Sequence, residues 1–161
     1  MSRYLHTLLK AIDYQVPSGL ANPEIKNLSC DSREIKKGDL FLGLEGEKVD
    51  GGTFWAKAIE SGACAAIISK KASILNPPTN EDPVVIVPDP VSLFMGKLAA
   101  DFWGKPSSET CLIGVTGTNG KTTTSFLIEF LTASLGHPSA LFGTLINRWP
   151  VSYTHLRAHE T

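Results

Sequence analysis

Residues 114–124 read GVTGTNGKTTT, in which Gly117 and Gly120 precede Lys121 and a run of threonines. Glycine reaches positive φ without steric penalty, so such a loop can curl successive backbone N–H groups around an anion. A phosphate held there sits at the positive end of the helix that follows. Lys121 then sets a cation against the β- and γ-phosphates, and the Thr122 hydroxyl is placed to ligate Mg²⁺. The common phosphate-loop spacing asks for a glycine five places before Gly120, where this chain has Val115. The competing reading is a tight turn that binds nothing. It needs the glycines, lysine and hydroxyl to coincide by chance between an apolar strand and a helix, so a phosphate site is expected.

A second stretch, CDSREIKKGDLFLGLEGEKVDGGTF (residues 30–54), offers a hydroxyl at Ser32 and a strand that opens into the loop EGEKVDGG, with Lys48 at its tip. Backbone donors in a loop at a strand end can cradle a diphosphate or a uracil group. Composition alone favours a solvated loop whose charges face water, since loops are polar by default.

The elements that must position these loops follow from periodicity. Tyr4, Leu5, Leu8, Leu9 and Ile12 recur at helical spacing and predict a first amphipathic helix. Short strands are expected at Ile25–Cys30 and within Gly38–Leu44. Thr53 is expected to cap a helix carrying Phe54, Trp55, Ala58 and Ile59 that stops at Gly62. CAAIIS and PVVIVP read as buried strands, with KKASILNPPTNED as a loop between them. A further helix begins at Val91 and carries Leu93, Phe94, Leu98, Phe102 and Trp103. The polar stretch GKPSSET then marks the expected domain boundary, giving domains 1–105 and 106–150. After it, CLIGVT predicts a strand, Thr122–Leu135 a helix ending at Gly136, and SALFGTL another strand. The expected fold class is α/β: a small α/β domain followed by the first βαβ unit of a phosphate-loop domain.

The 161 residues carry a net charge of −1 and 42% hydrophobic side chains, a balance that gives no reason to expect a nucleic-acid partner. Arg3, His6, Lys10 and Asp13 interrupt the N-terminus before a signal-peptide core could form, and no apolar run reaches membrane-spanning length. Cys30, Cys64 and Cys111 have wide spacings and no C-x-x-C pair, so reduced, buried thiols and a cytoplasmic location are expected.

TGTNGKTT resembles the phosphate loop of the Mur ligases and of their relatives, folylpolyglutamate synthetase and cyanophycin synthetase. DSR, GDLF and G-E-x-x-D-G-x-x-F resemble the uridine-nucleotide-binding domain of two Mur ligases, those adding the third amino acid and the terminal D-Ala-D-Ala dipeptide. GVTGTNGKTTT and ALFGTLINRWP match the former. The resemblance implies an ATP-dependent amide-forming ligase of peptidoglycan synthesis. It would add a diamino acid, meso-diaminopimelate or L-lysine, to UDP-MurNAc-L-Ala-D-Glu by way of an acyl phosphate. Carried over by position, Cys30, Ser32, Glu47, Lys48 and Val49 would hold the UDP-sugar. Gly117, Thr118, Asn119, Gly120, Lys121, Thr122 and Thr123 would hold ATP, with Lys121 as the catalytic cation and Thr122 on magnesium.

The family's later motifs are not in this sequence, so the chain is expected to be a catalytically incomplete fragment. Residues 151–161, VSYTHLRAHET, depart from the family and are read as a non-native tail. His155 and His159 are spaced like a helical ligand pair but lack a third ligand. The alternatives are a non-catalytic UDP-sugar-binding module, the dipeptide-adding Mur ligase, or an unrelated phosphate-loop NTPase such as a small kinase.

Overall fold

The apolar runs of the first hundred residues become the strands of one parallel sheet. A computed structural model of the chain describes residues 3–46 and 49–149. These divide between Cys111 and Leu112 into two compact units.

In the first unit β1 (Asn27–Ser29), β2 (Asp39–Leu42), β3 (Ala65–Ser69) and β4 (Val84–Val87) lie side by side in that order, all parallel. Leu40 stands opposite Leu28 and Ala65, and Ile67 opposite Val85. Side chains alternate across a strand, so the two faces collect different residues. Leu40, Leu42, Ala65, Ile67, Val85 and Val87 face α1 (Leu5–Ala11) and α4 (Val91–Phe102). Phe41, Ala66 and Ile68 face α2 (Trp55–Glu60) and α3 (Lys70–Leu75). Both faces are covered, which is why β2 and β3 are buried along their whole length. At the outer edge of β4 the Tyr14 hydroxyl donates to the Ile86 carbonyl at 2.5 Å.

Two local expectations change. Residues 70–75, expected as loop, form α3, because the Ser69 hydroxyl at the end of β3 accepts from the Ala72 N–H at 2.8 Å and caps it. The turn before α2 is a 3-10 helix, Gly51–Phe54, capped by Asp50 rather than Thr53. The Asp50 carboxylate accepts from the Gly52 N–H, whereas the Thr53 hydroxyl donates back to the Asp50 carbonyl.

The second unit holds α5 (Lys121–Ser134) and an antiparallel pair, β5 (Leu141–Phe142) with β6 (Asn147–Arg148). The strand expected over 111–116 pairs with nothing among the described residues. The βαβ unit is therefore present only as its loop, its helix and a short following strand. A parallel strand exists only through a neighbour's hydrogen bonds, and Leu112 and Ile113 lie exposed instead. Residues 151–161 and their two histidines lie outside the described residues.

The cysteine expectation also changes in part. All three thiols are free, but Cys30 and Cys111 are exposed. Only Cys64 is half-buried, with its Sγ 3.3 Å from the Asp39 carbonyl, and burial pushes its pKa up.

Candidate functional site

In a parallel sheet every strand delivers its following loop to the same edge, the usual location of ligand sites in α/β folds. Cys30 and Ser32 follow β1, and residues 43–46 and 49–50 follow its neighbour β2, so topology brings Cys30, Ser32 and Val49 to one edge. Cys30 and Val49 are exposed and Ser32 is half-exposed. Glu47 and Lys48 lie outside the described residues.

The loop after β1 is shaped by its own charges. The Asp31 carboxylate accepts from the Arg33 backbone N–H at 2.9 Å, from Nε at 2.9 Å and from Nη2 at 2.6 Å. The Arg33 guanidinium holds the Asp31 carboxyl down at about 2. Further along, the Lys36 N–H donates to the buried Asp39 carboxylate at 2.9 Å as the chain re-enters the sheet. Between this returning segment and β1 lies an open crevice of about 650 Å³, lined by Asn27, Ser29, Arg33, Glu34, Lys36 and Asp39 among others.

The loop after β2 is held more tightly. Gly43 continues the ladder by donating to the Ile67 carbonyl at 2.9 Å. A Cβ on Gly43 would run into the backbone of Gly52, and one on Gly52 would stand 2.7 Å from the Ala72 Cβ, so only glycines allow this approach. Gly51 donates to Leu44 and Gly46 to Val49, closing a hairpin around the Glu45–Asp50 bridge. Beneath it the Asp50 carboxylate accepts from the Gly52 N–H at 2.8 Å and from the Ser69 hydroxyl at 2.7 Å. Asp50 and Ser69, both buried, were not singled out from the sequence. The visible signal was an Asp directly before two glycines, an arrangement that favours a side-chain-capped turn.

In the second unit Gly117 has φ +140° and Gly120 φ +77°, and α5 begins at the next residue. The helical ladder starts with Thr124 donating to Gly120 at 2.9 Å. The N–H groups of Lys121, Thr122 and Thr123 thus precede the first helical bond and have no partner within the helix. The Lys121 ammonium folds back over the loop, donating to the carbonyls of Gly117 at 2.5 Å and Thr118 at 3.3 Å. Gly117, Thr118, Asn119, Gly120, Lys121, Thr122 and Thr123 are all exposed and contiguous. Free donors, a helix start and a lysine at one point fit the triphosphate of a nucleotide. The Thr122 hydroxyl is an oxygen donor of the kind Mg²⁺ takes. Among the described residues no group of three His, Cys, Asp or Glu side chains gathers to hold a metal ion.

Farther along α5, Glu129 is 2% exposed and forms a two-pronged ion pair with Arg148 of β6, with Nε 2.7 Å from Oε1. The Arg148 guanidinium also lies over the Phe126 ring, 4.7 Å from its centroid.

A covered parallel sheet with two loops at its carboxyl edge, followed in sequence by a glycine loop that opens a helix, defines an α/β protein. The chain belongs to the Mur ligase family: residues 24–103 match the family described as "Mur ligase family, catalytic domain". A UDP-N-acetylmuramoyl-L-alanyl-D-glutamate--2,6-diaminopimelate ligase of Prochlorococcus marinus (strain NATL1A) is 92% identical over 150 residues, 93% of this chain and 30% of that protein. The ligase of the same name from strain MIT 9313 is 55% identical over 161 residues, 100% of this chain and 32% of that protein. Among solved structures, a 2,6-diaminopimelate ligase aligns with TM-score 0.67 at 27% identity, over 92% of this chain and 29% of that one. MurF from Acinetobacter baumannii aligns with TM-score 0.55 at 26% identity, over 84% and 28%. The chain thus spans about 30% of the length of the curated relatives it matches.

Proposed function

We propose that this chain is the UDP-sugar-binding and phosphate-loop portion of a ligase that adds 2,6-diaminopimelate to UDP-MurNAc-L-Ala-D-Glu in the cytoplasm. The observation that carries this reading is the 92% identity to a ligase of that name. The gathering of both substrate loops at one sheet edge supports it. No helix among the described residues is long and apolar enough to cross a membrane.

The chain's own groups divide the work. Ser32, the backbone around Cys30, and Glu47, Lys48 and Val49 grip the nucleotide handle of the acceptor, which fixes its distant D-glutamyl carboxylate in position. Gly117 to Thr123 wrap the phosphates of ATP. Lys121, released from its loop carbonyls, would neutralise charge on the transferring phosphoryl group, and the Thr122 hydroxyl would hold Mg²⁺, which would supply further charge neutralisation there. In the whole protein the carboxylate oxygen attacks the γ-phosphorus and ADP leaves. The diamino acid's amine then attacks the acyl carbon and phosphate leaves. The relatives are about three times as long as this chain, so we propose that turnover requires the remaining length and that the chain alone binds without catalysis.

Calorimetric titration tests the reading. The chain should bind UDP-MurNAc-L-Ala-D-Glu, with Ser32→Ala and Lys48→Ala each weakening binding several-fold, on the order of one lost polar contact. ATP with Mg²⁺ should bind separately, and Lys121→Ala should weaken it by about tenfold or more. Nucleotide binding without UDP-sugar binding would favour an unrelated phosphate-loop NTPase. Diaminopimelate-dependent phosphate release by the chain alone would show that it is catalytically complete.

A further inference from the structure

The loop after β2 is tied down by a buried polar couple rather than by apolar packing. Ser69 is fully buried and Asp50 is 6% exposed. Their 2.7 Å bond joins points 19 residues apart, the base of the loop and the carboxyl end of β3. The same Asp50 carboxylate holds the Gly52 N–H, and the same Ser69 oxygen accepts from the Ala72 N–H. The chain of bonds therefore links the loop, the 3-10 turn, the end of β3 and the start of α3. Burying a carboxylate is a poor way to gain stability, because its desolvation offsets most of what its bonds return. A fully satisfied polar network does fix one geometry among neighbours that apolar contacts would leave free to slide. Here the geometry fixed is that of the hairpin base, where Gly46 bonds Val49 and Gly51 bonds Leu44.

We infer that Asp50 and Ser69 are positioning residues for the UDP-sugar: their bond fixes where Gly46 and Val49, the described ends of the loop after β2, stand relative to the carboxyl end of β3. The inference rests on the proposed role of residues 47–49 in holding the nucleotide diphosphate. It goes beyond that role in placing the control of affinity in two buried groups that touch no ligand. Capping explains the Gly52 bond by itself. It does not explain the second bond to a different strand.

The test is calorimetric affinity of the whole chain for UDP-MurNAc-L-Ala-D-Glu, with amide exchange at Gly46 and Gly51 as the second readout. Ser69→Ala should weaken binding about tenfold and Asp50→Ala by more, the loss of hydrogen bonds to a charged group. Both variants should speed exchange at Gly46 and Gly51. Asp50→Asn keeps the Gly52 bond and can donate to the Ser69 oxygen, so it should retain affinity within about threefold of the parent. Leu98→Ala truncates the core on the other face of the sheet. It should lower the melting temperature without weakening binding by the folded protein, which separates positioning from general destabilisation. Parental affinity in Ser69→Ala and Asp50→Ala overturns the inference and leaves the proposed function standing. No binding by the parent chain overturns both, whatever the exchange rates do.

Discussion

Ile67 in β3 and Leu131 in α5 are aliphatic residues of similar size in regular elements, yet Ile67 is 0% exposed and Leu131 is 58% exposed. Around Ile67 the chain supplies neighbouring strands on both sides and helices on both faces. On α5 the pattern is inverted. Leu127, Phe130, Leu131 and Leu135 lie open, while the one side chain α5 buries among the described residues is the carboxylate of Glu129. Periodicity marks which face of a helix is apolar. Whether that face is covered depends on other elements, and contiguous bare apolar surface of this kind is uncommon on a finished domain.

The largest expected effect tests this difference directly. Ile67→Ala should cost about 2–5 kcal/mol, the lost transfer energy plus the cavity left behind. Leu131→Ala should stay within about 0.5 kcal/mol, as for an ordinary surface substitution. Denaturant unfolding followed by resolved amide signals from each unit measures both. An equal cost at the two sites would mean that the α5 face is covered in solution, and the comparison would fail.

The second unit should instead depend on its ion pair. Glu129→Ala removes the carboxylate that both prongs of Arg148 reach and should cost about 1–3 kcal/mol in that unit. Glu129→Gln keeps an acceptor for Arg148 and should cost less. A Glu129→Ala variant as stable as its parent would show that the pair does not organise the unit.

What could be read from the sequence follows from how local each cause is. β3 and β4 were visible as apolar runs between turn residues, and α1 and α4 as helical spacings, because each pattern is complete within its own segment. The glycine loop before α5 was legible for the same reason, since glycine is the residue that reaches the positive φ found at Gly117 and Gly120 without strain. α3 escaped notice because only six residues form it and Ala72 is its one buried side chain. Its start signal, Ser69, also looked like the end of a strand. The strand expected at 111–116 failed in the other direction: its apolar residues were legible, but pairing is non-local and no described strand accepts it. Ser32 and residues 47–49 could be placed on loops from sequence. The sheet edge shared by Ser32 and Val49, and the Asp50–Ser69 bond across 19 residues, required the fold.

The smallest expected effect sets the exposed ion pair of the first unit against the buried one of the second. Asp31 and Arg33 form the same chemical couple as Glu129 and Arg148, but in water, where screening leaves an ion pair little net stability. Their bond should therefore be read most directly in titration, with only a small, pH-dependent share in folding energy. The Asp31 carboxyl is depressed from 3.8 to about 2, chiefly by the side-chain bond from Arg33. A depressed carboxyl contributes stability that is fully present above its unfolded value and is lost as pH falls through its folded value. The β1 loop should thus keep its shape from neutral pH down to about 4 and loosen between there and about 2. Carbon-detected NMR titration of the Asp31 carboxyl should show its midpoint near 2 in the parent and close to the ordinary 3.8 in Arg33→Ala. A parent midpoint at the ordinary value would mean that Arg33 is free in solution. The shape of the DSR loop would then not rest on this ion pair.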